Sequence, residues 1–445
     1  MKKKLLAMGL GALLVAGSVA PAFAASQVDF SGYYRTYFGN TWNNTFAKQN
    51  DDSSFAHRLN LDFVFKPTDE ISVNWEFRAP NSYRWGAAAG AGNTAESRFV
   101  YGQIDQDWGS IFIGRFAEKF TYLGLHNLGY QPKGVNPHYT LIGPFDVDAP
   151  TDGIRYLNRW DSGFQLAVQY NRLSDAVGND PSTQLFTVEP AFFWDGGAAS
   201  LGVAYLREYR NTASTYTTVN TNFKGFTLNP AFVQSFGDFS IHFEGKGMWL
   251  KDYGVADTKA QGLGFYLDFD YNYGPGNAML AGWWISGDDD SADKNKGALD
   301  FGTGFKPLLI AYGGTSTALA NGGAYGGRVA GINPISIANG NGYNTANVTD
   351  MSNHWAIAGM GNHAFTDDVT MHYALAYLAL NKVAPGQSKG IGWEADLGFT
   401  FKLLDNLDLR TTFGYFGAGK AVEENVTGDY KKSAYSWVNT LQFSF

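Results

Sequence analysis

Alternation of apolar and polar positions runs through most of the chain. In "FAHRLNLDFVFK", Leu59, Leu61, Phe63 and Phe65 share one face, while Arg58, Asn60, Asp62 and Lys66 share the other. "GLGFYLDFDYNY" sets Leu263, Phe265, Leu267, Phe269 and Tyr271 against Tyr266, Asp268, Asp270 and Asn272. "GIGWEADLGFTFKL" sets Ile391, Trp393, Ala395, Leu397 and Phe399 against Glu394, Asp396, Thr400 and Lys402. At the end of the sequence, Trp437, Asn439, Leu441, Phe443 and Phe445 alternate with Ser436, Val438, Thr440, Gln442 and Ser444. A period of two with acids and bases on the second face predicts β-strands with one apolar and one wet face.

Tight and long connections alternate between these strands. "KPTDE", "QDWGS", "RWDSG", "WDGGA", "SFGD", "NYGPG", "FTDDV" and "LLDNL" predict short turns, and between them lie polar loops over 40–54, 80–95, 117–150, 172–183, 210–222 and 287–350. An all-β, up-and-down antiparallel barrel that crosses a membrane has this layout. Counting from Val28 to Phe445 predicts eighteen strands, or sixteen if one weak pair, around 184–209 or 351–380, is absent. Either number is even, which places both ends of the barrel on the periplasmic side. Trp108, Trp160, Trp194, Phe236 and Tyr273 sit beside the tight turns, as an interfacial girdle requires. The glycine- and asparagine-rich stretch Gly313 to Asn347 reads as the longest, surface-exposed loop.

Composition narrows the solvent. Charged residues are 17% and aromatics 16%, against about 25% charged in ordinary soluble domains. "MKKKLLAMGLGALLVAGSVAPAFAAS" joins Lys2, Lys3 and Lys4 to an apolar stretch and to Ala22-Phe23-Ala24, the pattern of a secretory signal peptide. Residues 1–24 are thus expected to be cleaved, leaving 25–445 as one barrel domain. Their loss removes three lysines and moves the formal charge from −8 to −11. An acidic mature chain argues against nucleic acid as a partner. Without cysteine there is no disulfide, thiolate metal site or cysteine nucleophile.

"VDFSGYYR", "SRFVYGQIDQDWGSIFIGR", the long third loop "AEKFTYLGLHNLGYQPKGVNPHYTLIGPFDVDAPTDG", "DGIRYLNRWDSGFQLAVQY" and the terminal phenylalanine carry a family resemblance. They resemble the trimeric general diffusion porins of Gram-negative outer membranes, and more loosely the homotrimeric porins of sulfate-reducing bacteria. The resemblance covers roughly the first third and the last strand. Those porins have sixteen strands, and their glycine-glutamate loop motif is absent here. The resemblance implies a homotrimer in the cell outer membrane, in contact with lipid and lipopolysaccharide and built by the outer-membrane assembly machinery. It also implies that the third loop folds inward and narrows the bore. Carried over residue by residue, the wall arginines are Arg58, Arg98 and Arg155, with Arg115 closing the "GR" before the loop, and the loop carboxylates are Asp146 and Asp148. Arg35 joins the wall arginines. Parity independently sets Arg58 opposite the apolar face, and Arg155 and Arg159 opposite Ile154 and Tyr156. Leu441, Phe443 and Phe445 resemble the C-terminal signal read during assembly.

Other constellations are weaker. Asp288, Asp289, Asp290 and Asp293 could hold calcium through carboxylate oxygens, but they lack EF-hand spacing and read better as a solvated acidic loop. The histidines show no paired-ligand spacing, and His242, in line with Glu244 and Lys246, reads as a pore-lining residue. No cofactor is expected. The leading expectation is a passive channel for ions and small hydrophilic solutes, with no covalent chemistry. The alternatives are a substrate-specific eighteen-strand channel for sugars or carboxylates, a barrel enzyme with a Ser/His/Asp site at its mouth, and an adhesin. A plugged siderophore receptor is excluded, because it needs a separate plug domain.

Overall fold

The computed structural model describes residues 27–43, 46, 52–84, 96–117, 150–174, 183–213, 218–252, 259–287, 295–297, 307–312, 335, 338, 353–383, 385–426 and 429–445. The strands are β1 (Gln27–Trp42), β2 (Asp52–Lys66), β3 (Ile71–Arg84), β4 (Glu96–Gln106), β5 (Gly109–Ala117), β6 (Pro150–Arg159) and β7 (Phe164–Ser174). There follow β8 (Thr183–Trp194), β9 (Gly197–Ala213), β10 (Thr218–Phe236), β11 (Phe239–Asp252), β12 (Lys259–Asn272) and β13 (Gly276–Ile285). After the three-residue β14 (Asn295–Gly297) come β15 (His354–Thr366), β16 (Val369–Leu380), β17 (Gly390–Leu404), β18 (Leu407–Ala418) and β19 (Ser433–Ser444), with the short helix α1 (Lys420–Glu423) before the last.

Eighteen of these strands form the wall. Each pairs antiparallel with its neighbours in sequence, β13 passes the wall to β15, and β19 pairs with β1 from Tyr33↔Ser444 to Trp42↔Tyr435. β14 lies outside this order and pairs parallel with β12. The sheet therefore closes on itself, which satisfies the edge groups that an open sheet would leave bare. All eight predicted tight turns fall between wall strands, and the sixteen-strand alternative is set aside, because both weak pairs form. The loop expectation over 210–222 needs correction. Of 210–222, most is strand, since β9 runs to Ala213 and β10 begins at Thr218.

Side-chain parity follows the predicted alternation on the outside. Phe65, Leu263, Phe265, Phe269, Trp393 and Leu397 are exposed, as are Trp437, Leu441, Phe443 and Phe445 at the closing seam. Phe445 pairs through its backbone with Gly32 and lies 5.5 Å from the Phe30 ring, continuing an aromatic row through Phe63 and Trp75. Trp108 and Trp160 stack on Tyr156 and Phe164 at the tight turns. So much outward apolar surface on every side of the barrel suits a hydrocarbon solvent.

The inner face departs from expectation along part of β12–β19, where it is packed against apolar side chains, while Asp268, Asp270, Asn277, Asn362 and His372 keep other inward positions polar. Tyr266, Met279, Ala281, Trp283, Ala356, Ala358, Met360, Ala374, Ala376 and Leu378 point inward and bury a common apolar core. Small alanines face in where Ile357, Leu375 and Tyr377 face out, leaving room for Leu308, Leu309, Ile310, Ala311 and Tyr312 from the loop between β13 and β15. Ile335 and Ala338 are buried in the same core. These two positions lie within the stretch read as surface-exposed, and their burial corrects that reading; most of Gly313 to Asn347 lies outside the described residues. Phe46, Ala421 and Val422 complete the core from other loops. Ile391 also breaks parity. β16 pairs with Gly392 and then Gly390, so a bulge skips Ile391 and turns it inward, with Gly392 at φ +146 absorbing the bend.

Candidate functional site

The bore has two unlike sides. On β1–β6 the inner face carries arginines. Arg35 and Arg58 are directly opposed across β1 and β2, and both are buried among inward polar groups. Arg35 donates through Nε to Gln442 Oε1 at 2.9 Å and lies 4.4 Å over the Tyr33 ring. Next in the row, Asn60 faces Arg78 across β2 and β3, and Arg78 Nε donates to Asn60 Oδ1 at 3.1 Å. Arg78 and Arg98 converge on one carboxylate: Glu76 Oε1 is 3.1 Å from Arg78 Nη2 and 3.2 Å from Arg98 Nη1.

Arg98 reaches that carboxylate because of a bulge. β3 pairs Glu76 with Phe99 and Phe77 with Ser97, so Arg98 has no ladder partner and swings inward over the Phe99 ring at 4.3 Å. Bulges commonly re-aim a side chain in this way. Farther along the wall, Arg155 donates through Nε to Gln169 Oε1 at 2.7 Å and lies 4.5 Å over the Phe116 ring.

A second, packed side is built where the loop segment 307–312 meets β17. Asp396 Oδ2 accepts the Leu309 backbone N–H at 3.0 Å, while Glu394 Oε1 and Oε2 accept those of Ile310 and Ala311 at 2.5 and 2.8 Å. Gly414 leaves room for this clamp, since a Cβ there would meet Asp396 Oδ1 at 2.6 Å and Leu309 at 2.8 Å. Trp283 Nε1 donates to the Tyr312 hydroxyl at 2.6 Å, and that hydroxyl lies 2.5 Å from His354 Nε2. The segment is thus fixed by backbone and side chain at once. Glu424, in the loop before β19, accepts the Ser388 N–H and hydroxyl at 2.9 Å, which holds its carboxyl below the usual range and ties two neighbouring loops together.

Of the sequence-predicted residues, Arg58, Arg98 and Arg155 lie on the inner wall, and Arg35 joins them. Arg115 does not. It follows the outward parity of Ile113 and forms a two-pronged pair with Asp152 at 3.0 Å on the outer face, with side-chain exposures of 47% and 57%. The "GR" pattern failed here because position 115 falls on the lipid-side parity of β5. Asp146 and Asp148, with the whole third loop, lie outside the described residues, as do Asp288, Asp289, Asp290 and Asp293. Among the described residues no group of three or more His, Asp or Glu is placed to hold a metal ion. His242 is not an open pore-lining residue: it is buried, 3.2 Å from Asp268 and 3.1 Å from Glu244.

Arg78, Glu76 and the Glu394–Asp396 clamp escaped the sequence reading. "KPLLIAY" did carry a signal, an unbroken apolar run inside a polar loop, as did the inward alanines of "HWAIAGM" and "HYALAYLAL". A wet inner face would not alternate alanine with large apolar residues.

No family model and no curated protein matches the sequence. Solved structures do match in shape. OccK2 (OpdF) of Pseudomonas aeruginosa aligns over 95% of this chain and 98% of its own, at 12% identity and a TM-score of 0.53. OccK8 (OprE) of the same organism covers 94% and 98% at 11% identity and 0.52, and OccAB1 of Acinetobacter baumannii covers 94% and 96% at 13% and 0.51. The chain shares their fold. At these identities the likeness concerns the barrel and not the residues lining it.

Replacing Glu394 and Asp396 together by alanine should free the 307–312 segment, since each lost N–H to carboxylate bond is worth about 1.5–3 kcal/mol. The expected readout is a larger, noisier unit conductance from a barrel that still folds by gel mobility. Unchanged conductance in the folded double variant would show that the segment does not occlude the bore.

Proposed function

We propose that the chain is an outer-membrane channel of a Gram-negative bacterium, through which ions and small hydrophilic solutes diffuse passively. The closed barrel with an apolar exterior supports a membrane-spanning role, and the charged inner wall on β1–β6 supports a water-filled path beside the packed β12–β19 side. The observation that carries the reading is the row formed by Arg35, Arg58, Arg78 and Arg98 on four consecutive strands, with Arg155 beyond it. Fixed positive charge along a narrow bore raises the local concentration of anions and lowers their entry barrier.

The same row favours a second reading, a channel selective for carboxylates, since a ladder of bases is the signature expected of such a channel. Sugar selectivity has no comparable support among the described residues. Neither reading involves covalent chemistry. Cleavage before Ala25, homotrimer assembly and contact with lipopolysaccharide belong to the same proposal and rest on the resemblance to porins. Leu441, Phe443 and Phe445 are proposed as the element that the assembly machinery reads. Deleting Phe445 should reduce the amount of assembled barrel with little change in unit conductance, whereas normal surface levels would remove it from that role.

In planar bilayers the purified protein should give stable conductance steps. Replacing Arg58 and Arg98 by glutamine should move the reversal potential under a salt gradient toward cation preference. A barrel that does not conduct would end the channel reading, and a conducting double variant without the shift would remove these arginines from the ion path.

A further inference from the structure

Among the described residues, the carboxylate that bridges the two arginines Arg78 and Arg98 is the chain's own Glu76. Glu76 Oε1 is held by both guanidinium groups, and Oε2 adds a 3.4 Å contact to Arg98 Nη1. All three side chains are only slightly exposed, at 12–14%, so they keep a thin contact with the bore while most of their surface is covered. Arg58 lies within electrostatic reach of Arg78, and Asp62 stands across the ladder from Glu76. Arg78 is oriented by Asn60, and Arg98 is oriented by the bulge and the Phe99 ring. The guanidinium groups are therefore aimed by contacts that do not depend on Glu76.

We infer that Glu76 is a resident counter-carboxylate that determines specificity. It occupies the position where a solute carboxylate meets Arg78 and Arg98, and it sets how long that solute stays. The inference rests on the channel reading above. Arginine forks bind carboxylates through strong charge-assisted hydrogen bonds, and an unopposed pair of them in a covered wall would hold a passing anion. Conduction needs a site that attracts but also releases. With Glu76 in place, an incoming carboxylate replaces one anion with another, so its net gain is small and it moves on. The template for this site is a single planar carboxylate, which marks carboxylates, over chloride, as the favoured class.

The test uses the full-length protein in planar bilayers with Glu76→Gln, which keeps the shape and removes the charge. Acetate is the probe and chloride the reference. Acetate-induced interruptions of the current should lengthen by about tenfold or more, as the loss of a competing charged partner predicts, and the reversal potential should move toward anion preference. Arg78→Gln should do the opposite, shortening the interruptions and moving the potential toward cations. It also provides the test if Glu76→Gln does not assemble. Unchanged interruptions in a conducting Glu76→Gln channel would overturn the inference while leaving the channel reading intact. Equal lengthening for acetate and chloride would reduce Glu76 to a general source of field and overturn its specificity role. A wild-type barrel that does not conduct would overturn both.

Discussion

Inside hydrocarbon, a backbone N–H or C=O without a partner costs several kcal/mol, and the pairing of β1 with β19 removes the last bare edge of this sheet. Once the ladder is closed, parity dictates the rest. Every second side chain must face lipid and its neighbours must face in, so a one-residue change in register reverses a side chain's environment. Arg115 and Arg155 show the consequence. Each belongs to a segment resembling the same family, yet one falls outward beside Asp152 and the other inward beside Gln169.

Two of the places where the ladder shifts register are places where the interior is specialised. A bulge at Arg98 brings a second guanidinium onto Glu76, and a bulge at Ile391 turns an apolar side chain into the core behind the clamped loop segment. The barrel thus divides its interior without dividing its sheet. Its β1–β6 side keeps charge beside the bore, and part of its β12–β19 side trades polar lining for small alanines and admits a loop. Three backbone N–H groups on two carboxylates hold that loop, which a purely apolar contact would leave free to slide.

The strand count, the eight tight turns and the outward face were legible in the sequence, because a two-residue period bounded by turn residues has few other solutions. Arg58 was legible for the same reason, lying opposite Leu59 and Leu61. Glu76 and Arg78 were not, because "NWEFRAP" gives them no distinction from any other inward charge; their importance arises from the bulge on the neighbouring strand. Nor was the clamp legible as a contact, since Asp396 meets Leu309, and Glu394 meets Ile310 and Ala311, across a long stretch of sequence. Polar alternation in β17 predicted that the two acids face in, but said nothing of what they face.

The central claim is that the arginine wall borders the water path and the alternate positions do not. The chain has no cysteine, so a single thiol can be placed without background. Arg98→Cys and, separately, Ile113→Cys would each be exposed to a charged, water-soluble thiol reagent during single-channel recording. A stepwise change in current is expected for Arg98→Cys and none for Ile113→Cys. A step at Ile113→Cys, or a labelled Arg98→Cys channel with unchanged current, would contradict it.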